Sequence, residues 1–298
     1  MIKIILIAAM IFLIFPATAY ARTTNVLTPR TGSETIVQGG ATLDVSNASR
    51  GYIMVRYTGS AARAVVRITQ PGADQPYDYR IPTDGTWQVL PLTRGNGRYQ
   101  IAVLENVEGR MFATLISHTI NLQLEDTLLP FLYPNQYVNF NPRSTAVARA
   151  TTLARGINDD LEVVRLIYEY VIGNITYDHE FAAQVTAGAI GSYIPDIDRV
   201  LARGKGICFD YAALTAAMLR SQGIPTRLEI GFVSGGVYHA WITVYTPETG
   251  WIGVVRFTGG GEWALMDPTF SAGAGAGNAA TLANLIGDGT NYNAIFIR

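Results

Sequence analysis

The chain of 298 residues is 49% apolar and 15% charged, with a formal net charge of -1. That balance excludes a basic face for nucleic acid and a polybasic patch for anionic lipid, and it is the balance of a globular chain with a large core. A single cysteine excludes an internal disulfide. Exported proteins that use cysteines structurally use them in pairs, so a lone thiol here is incidental, intermolecular or reactive.

The first residues read as a signal peptide. Met1-Ile2-Lys3 precedes an apolar run from Ile4 to Phe15, and Pro16 and Ala17-Thr18-Ala19-Tyr20-Ala21 follow. A basic start, a short apolar core and small residues at alternate positions fit cleavage after Ala21. The run is short for a membrane span, and an uncleaved anchor is the alternative. The expectation is a soluble mature chain with no membrane span, secreted or held in the cell envelope or periplasm. About 277 residues would remain, more than one typical domain.

Residues 22–125 read as β-structure. Gly51 to Tyr57, Ala64 to Thr69, Trp87 to Leu90, Tyr99 to Leu104 and Met111 to Leu115 are short runs rich in β-branched and aromatic residues. Gly, Pro, Asp and Asn separate them, and this spacing predicts a small β-sandwich. No candidate chemistry falls there, so the region reads as a spacer or recognition module.

The rhythm changes after Asp126. "LLPFLYPNQYVNFNPRS" is an irregular crossing segment, and Ser144 then caps a predicted helix through Ala154. A second helix starts at Asp159 and Asp160, with apolar residues at helical spacing, and ends at Gly173. Asp196 to Leu201 is a short third helix. A fourth runs from about Cys208 to Ser221, with Gly223 and Pro225 beyond its end. Strands follow at 227–233, 237–245, 251–255 and 262–266. Helices first and antiparallel strands second predict an α+β domain over residues 126–298.

The cysteine falls in "GKGICFDYAALTAAMLRSQGIP", residues 204–225. At a helix N-terminus it meets free main-chain N–H groups and the positive end of the helix dipole, and both favour the nucleophilic thiolate. Gly204 and Gly206 leave room for a sharp turn and a close substrate. An activated cysteine needs a base, and the chain has three histidines. His118 lies in the β-rich half and His179 in the polar stretch "YDHE". His239 lies in a strand of the sheet expected to pack on the cysteine helix. Its second ring nitrogen needs an acceptor to fix tautomer and orientation, and Asp267 in "LMDPTF" ends a later strand. Tyr238 and Trp241, flanking His239, read as packing on the opposite strand face. Asp210 reads as a structural residue favoured by the helix dipole, and Arg220 as a C-terminal cation or ion-pair partner.

"GKGICFDYAALTAAMLRSQGIPTRLEIGFV", "YHAWITVY" and "WALMDPTF", in that order, resemble the core of the transglutaminase-like superfamily. "VRLIYEYVIGNITYD" resembles the helix that precedes that core. The resemblance covers roughly residues 126–298. It implies a papain-like α+β fold, with Cys208 as nucleophile, His239 as its base and acid, and Asp267 orienting the imidazole. The chemistry implied is acyl transfer from a protein or peptide substrate through a thioester. The Cys208 N–H is one oxyanion donor, and a side chain near Tyr177 is the guess for the second. Hydrolysis of peptide or amide bonds is the first expectation. Transfer of the acyl group to an amine is the alternative, and a non-catalytic surface scaffold is a third. No metal or organic cofactor is implied, since no His or Cys pair has zinc spacing and "GKGICF" lacks the phosphate-loop pattern.

Overall fold

The computed structural model describes residues 26–233, 236–253, 255–258, 262–265, 269 and 292–298, the two short stretches 255–258 and 262–265 as main chain only. The expected signal peptide and Asp267 lie outside the described residues.

Eight strands come first: β1 (Thr35–Gln38), β2 (Ala41–Asp44), β3 (Tyr52–Tyr57), β4 (Ala64–Thr69), β5 (Tyr77–Ile81), β6 (Gln88–Pro91), β7 (Gly97–Glu108) and β8 (Met111–Leu122). They form two four-stranded antiparallel sheets, ordered β1-β2-β3-β6 and β5-β4-β7-β8. Period-two alternation sends Tyr77, Tyr79 and Ile81 of β5 inward. There they share a buried cluster with Leu43, Ile53 and Val55 of the other sheet. This is the sandwich predicted from strand spacing. β1, β2 and β5 are not anticipated from the sequence. In β5 every second residue is charged, and the exposed Arg67–Asp78 ion pair with β4 accommodates that outer face.

Helices follow: α1 (Thr145–Leu153), α2 (Asp160–Asn174), α3 (His179–Thr186), α4 (Ile197–Arg203) and α5 (Cys208–Ser221), with the two-residue strands β9 (Thr176–Tyr177) and β10 (Lys205–Gly206) among them. Asp159, Asp178 and Asp196 each cap the helix they precede by accepting main-chain N–H groups. α3 replaces the polar loop expected around His179. The remaining strands are β11 (Thr226–Val233), β12 (Val237–Thr246), β13 (Gly250–Gly253), β14 (Val255–Thr258), β15 (Glu262–Leu265) and β16 (Asn293–Ile297). A second sheet region is ordered β13-β12-β11-β16, and β14 pairs with β15. The chain is α+β, as expected. Among the described residues no helix is long and apolar enough to cross a membrane.

Helix α5 is the axis of the second core. Every residue from Asp210 to Ser221 is buried, because α1, α2, α4 and the β11–β12 sheet surround it. Ala212, Ala213, Ala216 and Ala217 keep its surface narrow enough for this. Its far end is held by Arg220, 1% exposed. The guanidinium donates to the main-chain oxygens of Thr226 (2.9 Å), Tyr133 (2.8 Å) and Arg298 (2.7 Å). Burial pushes it down to about 9, which still leaves it charged at neutral pH. Arg220 is therefore a structural tie to three main-chain segments rather than an ion-pair partner among the described residues.

Candidate active site

Cys208 is the first residue of α5 and is half-buried. The turn before it is fixed from two sides. β10 runs parallel to β9, with Asp178 N–H donating to the Gly206 carbonyl at 2.9 Å. From the helix, Asp210 reaches back, and its Oδ2 accepts the Ile207 N–H at 2.8 Å. Its Oδ1 accepts the Tyr193 hydroxyl. Gly206 is required by this contact, since a Cβ there would lie 2.6 Å from the Asp210 Cβ. Burial pushes the Asp210 carboxyl up, and the bonds from Tyr193 and Ile207 oppose that shift. Burial, reinforced by Asp210, pushes the Tyr193 phenol up as well. The sequence marks Asp210 only as a first-turn acid. Tyr193, 17 residues away, carries no local signal.

Aromatic side chains flank the cysteine. Phe209 meets Tyr137 at 5.7 Å and Tyr193 at 6.4 Å between ring centroids. Tyr177 stacks on Tyr211 at 6.5 Å and meets His179 edge-on at 4.9 Å. Tyr177 thus stands on the strand that pairs with the turn leading to Cys208, in the region guessed for a second oxyanion donor.

His239 is buried on β12, opposite Gly231 of β11. β12 packs against α5 through Ala240, Ile242 and Val244. Strand alternation places Tyr238 on that side and His239 on the other, so the pairing of His239 with Cys208 rests on the family resemblance and not on the strand geometry. The His239 ring stacks on Trp241 at 6.3 Å. Trp241 therefore shares the face of His239, which corrects the expectation that it flanks the histidine from the opposite face; residues two apart on a strand point the same way. Trp241 Nε1 donates to Glu229 Oε2 at 2.7 Å and the Thr243 hydroxyl donates to Oε1 at 2.9 Å. Gly231 lets β16 approach, since a Cβ there would fall 1.9 Å from the Asn293 carbonyl oxygen. Tyr238 is exposed and meets Phe232 at 5.4 Å. Local desolvation pushes its phenol up; Arg298 opposes this, while Tyr137 and Cys208 reinforce it. His118 sits on β8 of the sandwich, away from these elements.

The family model described as Transglutaminase-like superfamily matches residues 147–254. A curated relative, the protein-glutamine gamma-glutamyltransferase of Pseudomonas aeruginosa, is 30% identical over 117 residues, covering 34% of this chain and 17% of that protein. The chain thus spans about a sixth of the length of that relative. Among solved structures, a candidate cysteine protease from Cytophaga hutchinsonii aligns at 15% identity with a TM-score of 0.35, covering 81% of this chain and 69% of its own. The transglutaminase of red sea bream aligns at 15% identity with a TM-score of 0.31, covering 73% and 48%. The segment from 147 to 254, which holds the cysteine helix and the histidine strand, is a transglutaminase-like core.

Proposed function

We propose that the chain is an exported, cysteine-dependent acyl-transfer enzyme that hydrolyses peptide or amide bonds. The observation that carries this is the locked turn before Cys208: Asp210, Tyr193 and the β9–β10 pairing hold the lone thiol at the start of a buried helix. A nucleophile held on a rigid element keeps its attack geometry. In the proposed cycle Cys208 Sγ attacks the amide carbonyl carbon while His239 takes the thiol proton. The C–N bond breaks and the same proton passes to the leaving amine. Water then attacks the thioester, giving one proton to His239 and releasing the acid, and that proton returns to Sγ. The main-chain N–H of Cys208 and the Tyr177 hydroxyl serve the oxyanion. Asp267 orients His239.

A second reading, transfer of the acyl group to an amine, is favoured by the name of the Pseudomonas relative. One experiment addresses both. Cys208 alkylation by iodoacetamide is followed from pH 4 to 9 in the full chain, in His239→Ala and in His179→Ala. Labelling that persists to low pH, is lost with His239 and is kept without His179 supports the thiol–imidazole pair. Equal labelling of all three overturns it. Release of ammonia or amine from a peptide library without added nucleophile then supports hydrolysis, and incorporation of a labelled amine supports transfer.

A further inference from the structure

One face of the β11–β12 sheet packs on α5 and continues past the end of the helix. Ile230 and Ala240, opposite each other on β11 and β12, are 9% and 3% exposed in the core around α5. Directly opposite residues of antiparallel strands share a face, and residues two apart return to it. The next pair on that face is Phe232 and Tyr238, 41% and 57% exposed. Their rings meet edge to face at 5.4 Å between centroids. Cover over this face is therefore lost within a single step of the strand pair.

Element length explains where the cover ends. α5 has 14 residues and rises about 21 Å. β11 has 8 residues and spans about 26 Å. The turn between them is tight: Ile224 N–H donates to the Leu219 carbonyl at 3.1 Å, and Arg220 Nε donates to the Thr226 carbonyl at 2.9 Å. Helix and strand thus start level at that end, and the strand runs back along the helix. It outreaches α5 at the other end, which is the end that Cys208 opens. Phe232 and Tyr238 stand on the stretch of sheet that α5 leaves open there. A single exposed apolar side chain needs no explanation. Two aromatic rings in contact, at the open end of a packed face and at the thiol's end of the helix, form a ledge.

We infer that Phe232 and Tyr238 form the subsite that seats an apolar side chain of the peptide substrate, next to the amide bond that Cys208 attacks. The inference rests on the acyl-transfer reading and adds the substrate class: a peptide with an aromatic or branched aliphatic residue beside the scissile bond. Both rings offer apolar surface, and an incoming side chain covers what α5 leaves open while packing on the ring pair. Neither ring carries a charge at neutral pH, since desolvation pushes the Tyr238 phenol up. Val237, 55% exposed on the same hairpin, falls on the opposite face by the same alternation and lies outside the ledge.

Alkylation of Cys208 in the full chain by three probes tests this: iodoacetamide, N-benzyliodoacetamide and N-(2-carboxyethyl)iodoacetamide. They share one reacting carbon and one leaving group. Each rate is divided by the rate with free N-acetylcysteine, so the ratio between probes reads the subsite and not the reactivity of the thiol. The benzyl probe is expected to exceed iodoacetamide about tenfold. Phe232→Ala and Tyr238→Ala should each lose most of that preference, and Val237→Ala should keep it, with melting curves confirming a folded chain. Should one aromatic variant fail to fold, the other decides. No benzyl preference in the wild type, a preference that the folded aromatic variants retain, or an equal loss in Val237→Ala overturns the inference. A preference for the carboxylate probe assigns the ledge to an acidic residue and also overturns it. The pH profile of iodoacetamide labelling is read separately. A benzyl preference on a thiol with an ordinary profile keeps the apolar seat and removes the acyl-transfer reading; a thiol labelled at low pH without the preference does the reverse. A folded chain that no probe labels overturns both.

Discussion

Asp210 Oδ2 accepts the main-chain N–H of Ile207 at 2.8 Å, tying the residue before Cys208 to the first turn of the helix that Cys208 opens. The other carboxylate oxygen is used by Tyr193. Asp210→Asn turns one of these acceptors into a donor that faces a donor. The expected cost is about 1–3 kcal/mol, read from urea unfolding. Tyr193→Phe removes one bond and leaves the turn tied, so about 1 kcal/mol is expected. Both should slow Cys208 alkylation, Asp210→Asn more. Equal alkylation in wild type and Asp210→Asn would show that the turn is held by the β9–β10 pairing alone.

Glu229 gives a pH-dependent prediction. It is 8% exposed, and burial pushes its carboxyl up while Thr243, Trp241 and Arg227 oppose. A carboxyl raised in the folded state binds more protons there than in the unfolded chain. Its stabilising contribution is then fully present below the unfolded value near 4.5 and is lost as pH rises through the folded value. Glu229 should therefore contribute a downward slope to stability measured by urea unfolding across mildly acidic pH, beside that of the buried Asp210, and Glu229→Gln should lessen the slope without abolishing it. An identical slope in the variant would mean that the Trp241 and Thr243 bonds outweigh burial.

Arg220 predicts a large effect without any role in chemistry. Arg220→Leu removes the guanidinium donor from three buried main-chain oxygens, those of Tyr133, Thr226 and Arg298, the last of which keeps the Leu228 N–H. A loss of more than about 3 kcal/mol is expected. Arg220→Lys should recover only part of it, because one ammonium cannot span three acceptors that a planar fork reaches. Full rescue by lysine would show that charge, not fork geometry, holds the helix end.

The parts of this protein legible in its sequence are those whose signal is local. Gly204, Gly206 and Gly223 bracket α5, and its apolar composition announces a buried helix. The runs at 227–233 and 237–245 announce β11 and β12. What stayed hidden depends on partners far along the chain. β5 reads as polar until Arg67 is found opposite Asp78. The clamp on the cysteine turn needs Tyr193, and Arg220 looks like a helix-end cation until Tyr133 and Arg298 arrive beside it. Trp241 is a different case: strand period alone places it on the face of His239.

The seam between the two cores supplies the last prediction. β16 pairs with β11 of the helix-packed sheet, yet it also covers the rim of the sandwich. The Thr93 hydroxyl donates to the Ile297 carbonyl at 2.7 Å, and Ile297 N–H donates to the Tyr77 hydroxyl at 3.1 Å. The buried Arg298 guanidinium donates to the Tyr79 hydroxyl at 2.5 Å. It lies 4.3 Å from the Tyr77 ring, 4.4 Å from Tyr79 and 5.0 Å from Tyr137. Hydrogen bonds to a charged group are worth about 1.5–3 kcal/mol, and desolvated cation–π contacts about 2 kcal/mol. The Arg298 guanidinium is held by sandwich residues while its main chain pairs with Leu228 and accepts from Arg220 of the helical core, so the two cores should unfold together. Calorimetry of the full chain is expected to show one transition, and the Tyr79→Phe/Arg298→Met double variant should show two, with the sandwich and the helical core melting apart. A single transition in that variant would place the coupling in Phe296, which packs against both cores, and in the crossing segment.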